Sequence, residues 1–281
     1  NIKFTLEDLS ALRDKLDSIS EDKVLFFLDG ENGLGRRCSV GEEHDFSNIE
    51  ALDDNQIKNI FDSINSELYT NKISFNLAPV VDLGQKKSKV LSGRTFSESP
   101  QVVTKIAKIF LDSCADNNLI SCLKHFPGHG IVDGDTHDKL IKSSTSDPNL
   151  INDHLQPFVD LAHDVEMMMI NHINYSFYDS PLIPASMSEN IIRRLLLEEL
   201  DFKGLIISDS IRMGALTENF SESKISQEFI LNGGDLILDP IGPAQLIDVI
   251  GNIYSKASED IDEKIKKIIK IKNKARSLMF R

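Results

Sequence analysis

The sequence predicts an α/β fold built on a parallel sheet, and two observations carry that reading. Six short apolar runs recur along the chain, at 24–29, 73–82, 120–125, 165–173, 204–209 and 235–239. Each is nearly continuous in apolar character, which is how strands covered on both faces read; a solvated antiparallel sheet would alternate. Between the runs lie stretches with apolar residues at helical spacing, several with helix-start signals. Strand and helix taking turns along the whole chain is the pattern of repeated strand–helix units.

The elements follow in order. Thr5 with Asp8 three residues on reads as a capping box opening a helix that carries Leu6, Leu9, Leu12 and Leu16. After the first two runs, Ser99 then Pro100 reads as N-cap then first helical position, followed by Val102, Val103, Ile106, Ile109 and Phe110. Asp147 with Pro148 repeats the device ahead of Leu150, Leu155 and Phe158. Ser186 with Glu189 is expected to open the helix of Ile191, Ile192, Leu195 and Leu196. The last segment, 261–280, is lysine-rich with a stripe of Ile261, Ile265, Ile268 and Ile269. A final helix packed on the body, its lysines solvated, is preferred there over a membrane-surface helix. No low-complexity tract or Gly/Ser linker breaks the chain, so residues 1–281 are expected to form one domain.

A closed parallel barrel and a doubly wound open sheet both fit this alternation, and the strand ends choose between them. The runs end in Asp29, Asp82, Lys124 with His125, His172 and Asp209. Polar groups at the carboxyl ends of many different strands belong to the active face of a TIM (β/α)8-type barrel. An open sheet would gather its site at one switch point, usually beside a glycine-rich phosphate loop. No such loop occurs, and Gly33-Leu34-Gly35 lacks the third glycine, so nucleotide binding is disfavoured.

Composition narrows the partners. The 281 residues are 41% hydrophobic and 27% charged, ordinary for a globular chain, with a formal net charge of −13. That field repels phosphate backbones and excludes a nucleic-acid partner. No apolar run nears the roughly 20 residues that span a bilayer. Three cysteines, Cys38, Cys114 and Cys122, form no C-x-x-C pair and leave an odd total, as expected of reduced thiols in a cytoplasmic protein.

The densest polar segment is 124–130, Lys-His-Phe-Pro-Gly-His-Gly, followed by Asp133, Asp135, His137 and Asp138. His125, His129 and His137 could gather a metal, although Pro127 and Gly128 make a shared helical face improbable; a plain solvated loop is the third possibility. The sharper reading starts from Asp135 and His137. A carboxylate two residues from an imidazole can fix its tautomer and raise the basicity of the other nitrogen, as a proton-transfer group requires. Ser208-Asp209-Ser210 ends a buried strand with a carboxylate, a costly position unless hydrogen-bonded and a useful one for a nucleophile. An acid/base group facing an anionic nucleophile is the equipment of retaining glycoside hydrolysis.

These residues resemble those of the bacterial β-N-acetylglucosaminidases of glycoside hydrolase family 3, in the single-barrel branch that acts in peptidoglycan recycling. The specific elements are 124–130 with Asp135-x-His137, and 208–213, Ser-Asp-Ser-Ile-Arg-Met. Weaker matches are Ala78-Pro79-Val80-Val81-Asp82, Gly93-Arg94-Thr95-Phe96 and Asn171-His172. The resemblance implies that Asp209 attacks the anomeric carbon and that His137, supported by Asp135, protonates the leaving oxygen and then activates water. It implies that Asp29, Arg94, Lys124 and His125 hold the sugar and that His172 lies beside it or just behind. It further implies a monomer acting on N-acetylglucosamine-containing glycosides, with no metal and no organic cofactor. Alternatives of other kinds are a family 3 β-glucosidase, a metal-dependent barrel hydrolase and an inactive sugar-binding homologue. Two departures stand out. The family's Asp-Gln-Glu-Gly-Gly-Arg is here Asp29-Gly30-Glu31-Asn32-Gly33-Leu34, one positive charge short unless Arg36 or Arg37 replaces it. The family's first two strand–helix units are expected to precede Asn1, which accounts for six strands where a barrel has eight.

Overall fold

The computed structural model describes residues 3–84, 90–132, 139–180, 182–240 and 242–280. Among the described residues, seven strands run in chain order as β1 (Phe27–Leu28), β2 (Phe75–Asn76), β3 (Ile120–Phe126), β4 (Lys142–Ser143), β5 (Met167–Ile170), β6 (Asn174–Tyr175) and β7 (Leu205–Ser208). The α-helices of these residues are α1 (Leu6–Ile19), α2 (Asp54–Thr70), α3 (Pro100–Asp116), α4 (Pro148–Leu161), α5 (Gly214–Thr217), α6 (Glu222–Leu231), α7 (Pro243–Tyr254) and α8 (Ser258–Met279).

The main sheet has the order β1-β2-β3-β5-β7, and all of its pairs are parallel. The sixth apolar run joins it as a bridge, Leu236 beside Ile207, so the positions of the main sheet match the six runs, whereas β4 and β6, which pair with each other in a separate parallel sheet, lie outside them. β2 is shorter than its run because Pro79 has no N–H to give, but pairing with β3 resumes at Val80 beside Lys124. The result is a parallel half-barrel.

Period-two alternation divides the strand side chains between two layers. Leu123, Met168, Ile170 and Ile206 pack outward with α2, α3 and α4. Phe75, Leu77, Ile120, Cys122, Met167, Met169, Leu205 and Ile207 face inward, where they meet Ile268, Ile271, Ala275 and Leu278 of α8. Burial on both faces explains the continuous apolar runs.

Capping boxes and N-caps form at Thr5, Ser99 and Asp147 as the local sequence predicts. Ser186 does not open its helix. The helix starts at Asn190, and it is the Ser188 hydroxyl that accepts the Ile191 N–H at 2.9 Å. The apolar stripe of α8 is also corrected. Ile265 and Ile269 are about half exposed, whereas Ile261 is buried and Ile268 joins Ile271 and Ala275 in the seam against the sheet, as half of the stripe predicts. The cysteines are unpaired and buried. Among the described residues no helix is long and apolar enough to cross a membrane.

Candidate active site at the carboxyl ends of the strands

Parallel strands in register bring all their carboxyl ends to one rim. Lys124 on β3 is 1% exposed, yet its ammonium bonds Asp29 beyond β1 at 2.8 Å and Glu31 at 3.0 Å. Arg94 bonds the other oxygen of Glu31 at 2.8 Å. Burial pushes Glu31 up, but the cations Lys124 and Arg94 outweigh it and hold the carboxyl well below its usual range. The missing positive charge is supplied a turn later. Arg37 bonds Asp29 at 2.8 Å, and Arg36 lies 3.9 Å from Glu31. Leu34 meanwhile is fully buried in the core.

Asp82, past β2, is fully buried and collects three N–H donors. Its oxygens accept the backbone N–H of His125 at 3.1 Å and of His129 at 2.5 Å, and His125 Nδ1 lies 2.7 Å away. Burial pushes its pKa up, but the His125 and His129 partners pull it below the carboxylate range. An ionised acceptor at Nδ1 favours the His125 tautomer that carries its proton on that nitrogen. At the end of β5, Asn171 donates to the His125 carbonyl at 3.0 Å and to the Tyr175 hydroxyl at 2.7 Å. Tyr175 in turn donates to the Gly128 carbonyl at 3.0 Å, so β5 ties down the segment after β3.

Asp209 follows β7. Its Oδ1 accepts the Ser210 N–H at 2.7 Å. Burial raises its pKa, but His125, His172 and that hydrogen bond win, and the carboxylate stays ionised. His172 is neutral because burial lowers its pKa. Its Nε2 lies 3.0 Å from the Ser210 carbonyl and its Nδ1 2.8 Å from the Ser186 hydroxyl. Both nitrogens are thus engaged by protein groups, and His172 acts on the site through the Asp209 turn. Ser186, expected as a helix cap, is recruited here instead.

Asp29, Arg94, Lys124, His125, His172 and Asp209 therefore meet on one rim. Asp135 and His137 lie outside the described residues. Among the described residues no group of three or more His, Cys, Asp or Glu side chains is arranged to hold a metal. Sequence reading gave no role to Glu31, Asn171 or Tyr175. A carboxylate two residues past a strand-end Asp was the available signal for Glu31, and the Asn171-His172 match was the one for Asn171; Tyr175 carried none that distinguishes it from ordinary polar positions.

A parallel α/β half-barrel that gathers an anionic carboxylate, a buried lysine and histidines at its strand ends is the architecture of a glycoside hydrolase barrel. The glycosyl hydrolase family 3 N-terminal domain model matches residues 5–271, and the chain belongs to that family. A beta-hexosaminidase of Hydrogenovibrio crunogenus is 28% identical over 266 residues, covering 88% of this chain and 72% of the relative. One of Actinobacillus pleuropneumoniae is 33% identical over 190 residues, 65% of this chain and 54% of the relative. Among solved structures, CbsA from Thermotoga neapolitana superposes with a TM-score of 0.82 at 24% identity, covering 98% of this chain and 61% of that one. A family 3 beta-N-acetylglucosaminidase from Paenibacillus sp. gives 0.85 at 23%, covering 96% and 54%. At these identities the superpositions speak for the fold. This chain spans a little over half the length of several of these proteins.

Proposed function

We propose that the chain is the catalytic barrel of a retaining exo-β-N-acetylglucosaminidase that releases terminal N-acetylglucosamine from muropeptide-derived glycosides in the cytoplasm, acting as a monomer. The observation that carries this reading is the ionised Asp209 facing a cluster of charge-assisted donors and acceptors, Lys124, Arg94, His125 and Asp29, on one strand-end rim.

In the first step the Asp209 carboxylate attacks the anomeric carbon, the bond to the leaving oxygen breaks, and protonated His137 gives its proton to that oxygen. In the second, neutral His137 takes a proton from water, whose oxygen displaces Asp209 and restores both groups. Asp135 orients the imidazole. A neutral or cationic His beside the anionic nucleophile avoids the repulsion two carboxylates would suffer, which supports the use of His where other glycosidases use Glu or Asp. Arg36 and Arg37 supply the charge that the family's loop carries one turn earlier, which favours a working site over an inactive one.

The test is hydrolysis of nitrophenyl glycosides. Turnover of the N-acetylglucosaminide well above the glucoside is expected, with Asp209→Ala abolishing nitrophenol release. His137→Ala should slow poor leaving groups more than good ones. Full activity of the Asp209 variant, or preference for the glucoside, refutes the assignment.

A further inference from the structure

The loop that carries Asp29 and Glu31 is anchored from behind as well as by its cations. The Gly30 N–H, between those two residues, donates to Asn76 Oδ1 at 3.1 Å. Asn76 Nδ2 donates to Asn65 Oδ1 at 3.1 Å, and Asn65 Nδ2 to Ser113 Oγ at 3.1 Å. The Ser113 hydroxyl donates to Asp62 Oδ1 at 2.7 Å. Asp62 is held by Lys58 at 2.7 Å, which also reaches Asp116 at 3.1 Å on the surface. Asn76, Asn65 and Ser113 are fully buried.

Every donor in this chain points the same way, from the Gly30 amide toward a carboxylate. Successive bonds in a low-dielectric interior polarise one another, so the Asp62 anion strengthens the acceptor that Asn76 presents to Gly30. The amides have one consistent orientation each, because a flipped Asn76 would aim an NH2 at the Gly30 N–H. There is also no slack beside the glycine. A Cβ on Gly30 would lie 2.6 Å from the Leu68 side chain. The loop is thus clamped between α2 and the end of the Asn76 side chain.

We infer that this buried one-way relay between α2, α3 and β2 sets the position of the Asp29–Glu31 loop, making Asn76, Asn65 and Ser113 positioning residues of the sugar site. The inference rests on the reading that Asp29 contacts the sugar. Satisfying buried amides needs only local partners; here the partners run unbroken from the surface to the peptide between two residues of the site.

Ser113→Ala removes the link with no added bulk, and Asn76→Ala cuts it beside the loop. Hydrogen exchange by mass spectrometry should show faster exchange across residues 29–34 in both, with α2 and α3 still protected; unchanged exchange overturns the inference whatever the substrate proves to be. With nitrophenyl N-acetylglucosaminide, KM should rise about five-fold for Ser113→Ala, the scale of one neutral hydrogen bond, with kcat nearly unchanged. In an Asp29→Asn background that effect should largely vanish, because coupled residues are not additive. A full additive effect, or an unaltered KM, refutes positioning. A wild-type chain that turns over no hexosaminide refutes the proposed function instead, and the exchange experiment then decides the relay alone.

Discussion

Lys124 concentrates the residue-scale energetics. A fully buried ammonium is tolerated because two carboxylates touch it, and those carboxylates are in turn held by Arg94 and Arg37. The site is locally rich in cations inside a chain of net charge −13, so global charge says nothing about the rim. Lys124→Met is expected to destabilise by about 3 kcal/mol, since it strands part of a buried ion cluster, and urea unfolding at pH 7 would measure it. A cost under about 1 kcal/mol would mean that the arginines suffice. Glu31 and Lys124 are 93 residues apart, and Arg94 and Glu31 are 63. Their charges were legible in the sequence, but their pairing was not, because no local signal spans that separation.

At the scale of elements, α8 shows how far periodicity reaches. It lies across the amino ends of the strands, with ion pairs to Asp22, Glu166 and Asp235, each just ahead of a strand. Its helical nature was legible, but its contact seam was so only in part, through Ile268. The seam is chosen by the inward strand residues it meets, and those favour Ile271 and Ala275 over Ile265 and Ile269. The Asp235 side chain is fully buried and Lys267 pairs with it at 2.7 Å, whereas Lys266 pairs with Glu263 in solvent. Lys267→Met should therefore lower stability by on the order of 2 kcal/mol, while Lys266→Met should be near neutral. Equal effects in thermal melts would contradict that distinction. In the loop after β1, Gly33 has φ +104° and a Cβ there would sit 2.4 Å from the Glu42 carbonyl oxygen. Gly33→Ala is expected to cost on the order of 2 kcal/mol and to shift Arg36 and Arg37 off the site, read as raised KM. Local capping signals did predict helix starts wherever nothing distant competed. Ser186 was claimed by His172 from another element, and the cap moved to Ser188.

For the whole molecule, buried titratable groups set the response to pH. Burial lowers the pKa of His129 to about 4 and lowers those of His154 and His172. In the unfolded chain a histidine titrates near 6.5, so below that pH the unfolded state binds more protons and stability falls. For His129 the loss runs from about pH 6.5 down to about 4, at up to roughly 1.4 kcal/mol per pH unit. Glu31, Asp82 and Asp209 are depressed, so their contribution is present above the ordinary carboxylate pKa and is lost as pH falls further, through their folded values. Both terms carry the same sign. The urea midpoint should be flat from pH 7 to 8 and fall steadily below about 6.5; a midpoint unchanged down to pH 5 would show that these histidines are not buried neutral.

The sequence by itself determined the strands of the main sheet and their alternation with helices, though not β4 or β6, and it also gave away the polar groups at strand ends and, through 124–130 and 208–213, the family. Those properties are local, carried by apolar period, capping chemistry and short motifs. Only the tertiary structure decided which charges meet, which hydroxyl caps and which supports, and how Gly30 is held from α2 and α3. Those outcomes depend on parallel register, which brings residues far apart in the chain to one level, and on competition among polar groups for buried partners, which no single segment encodes.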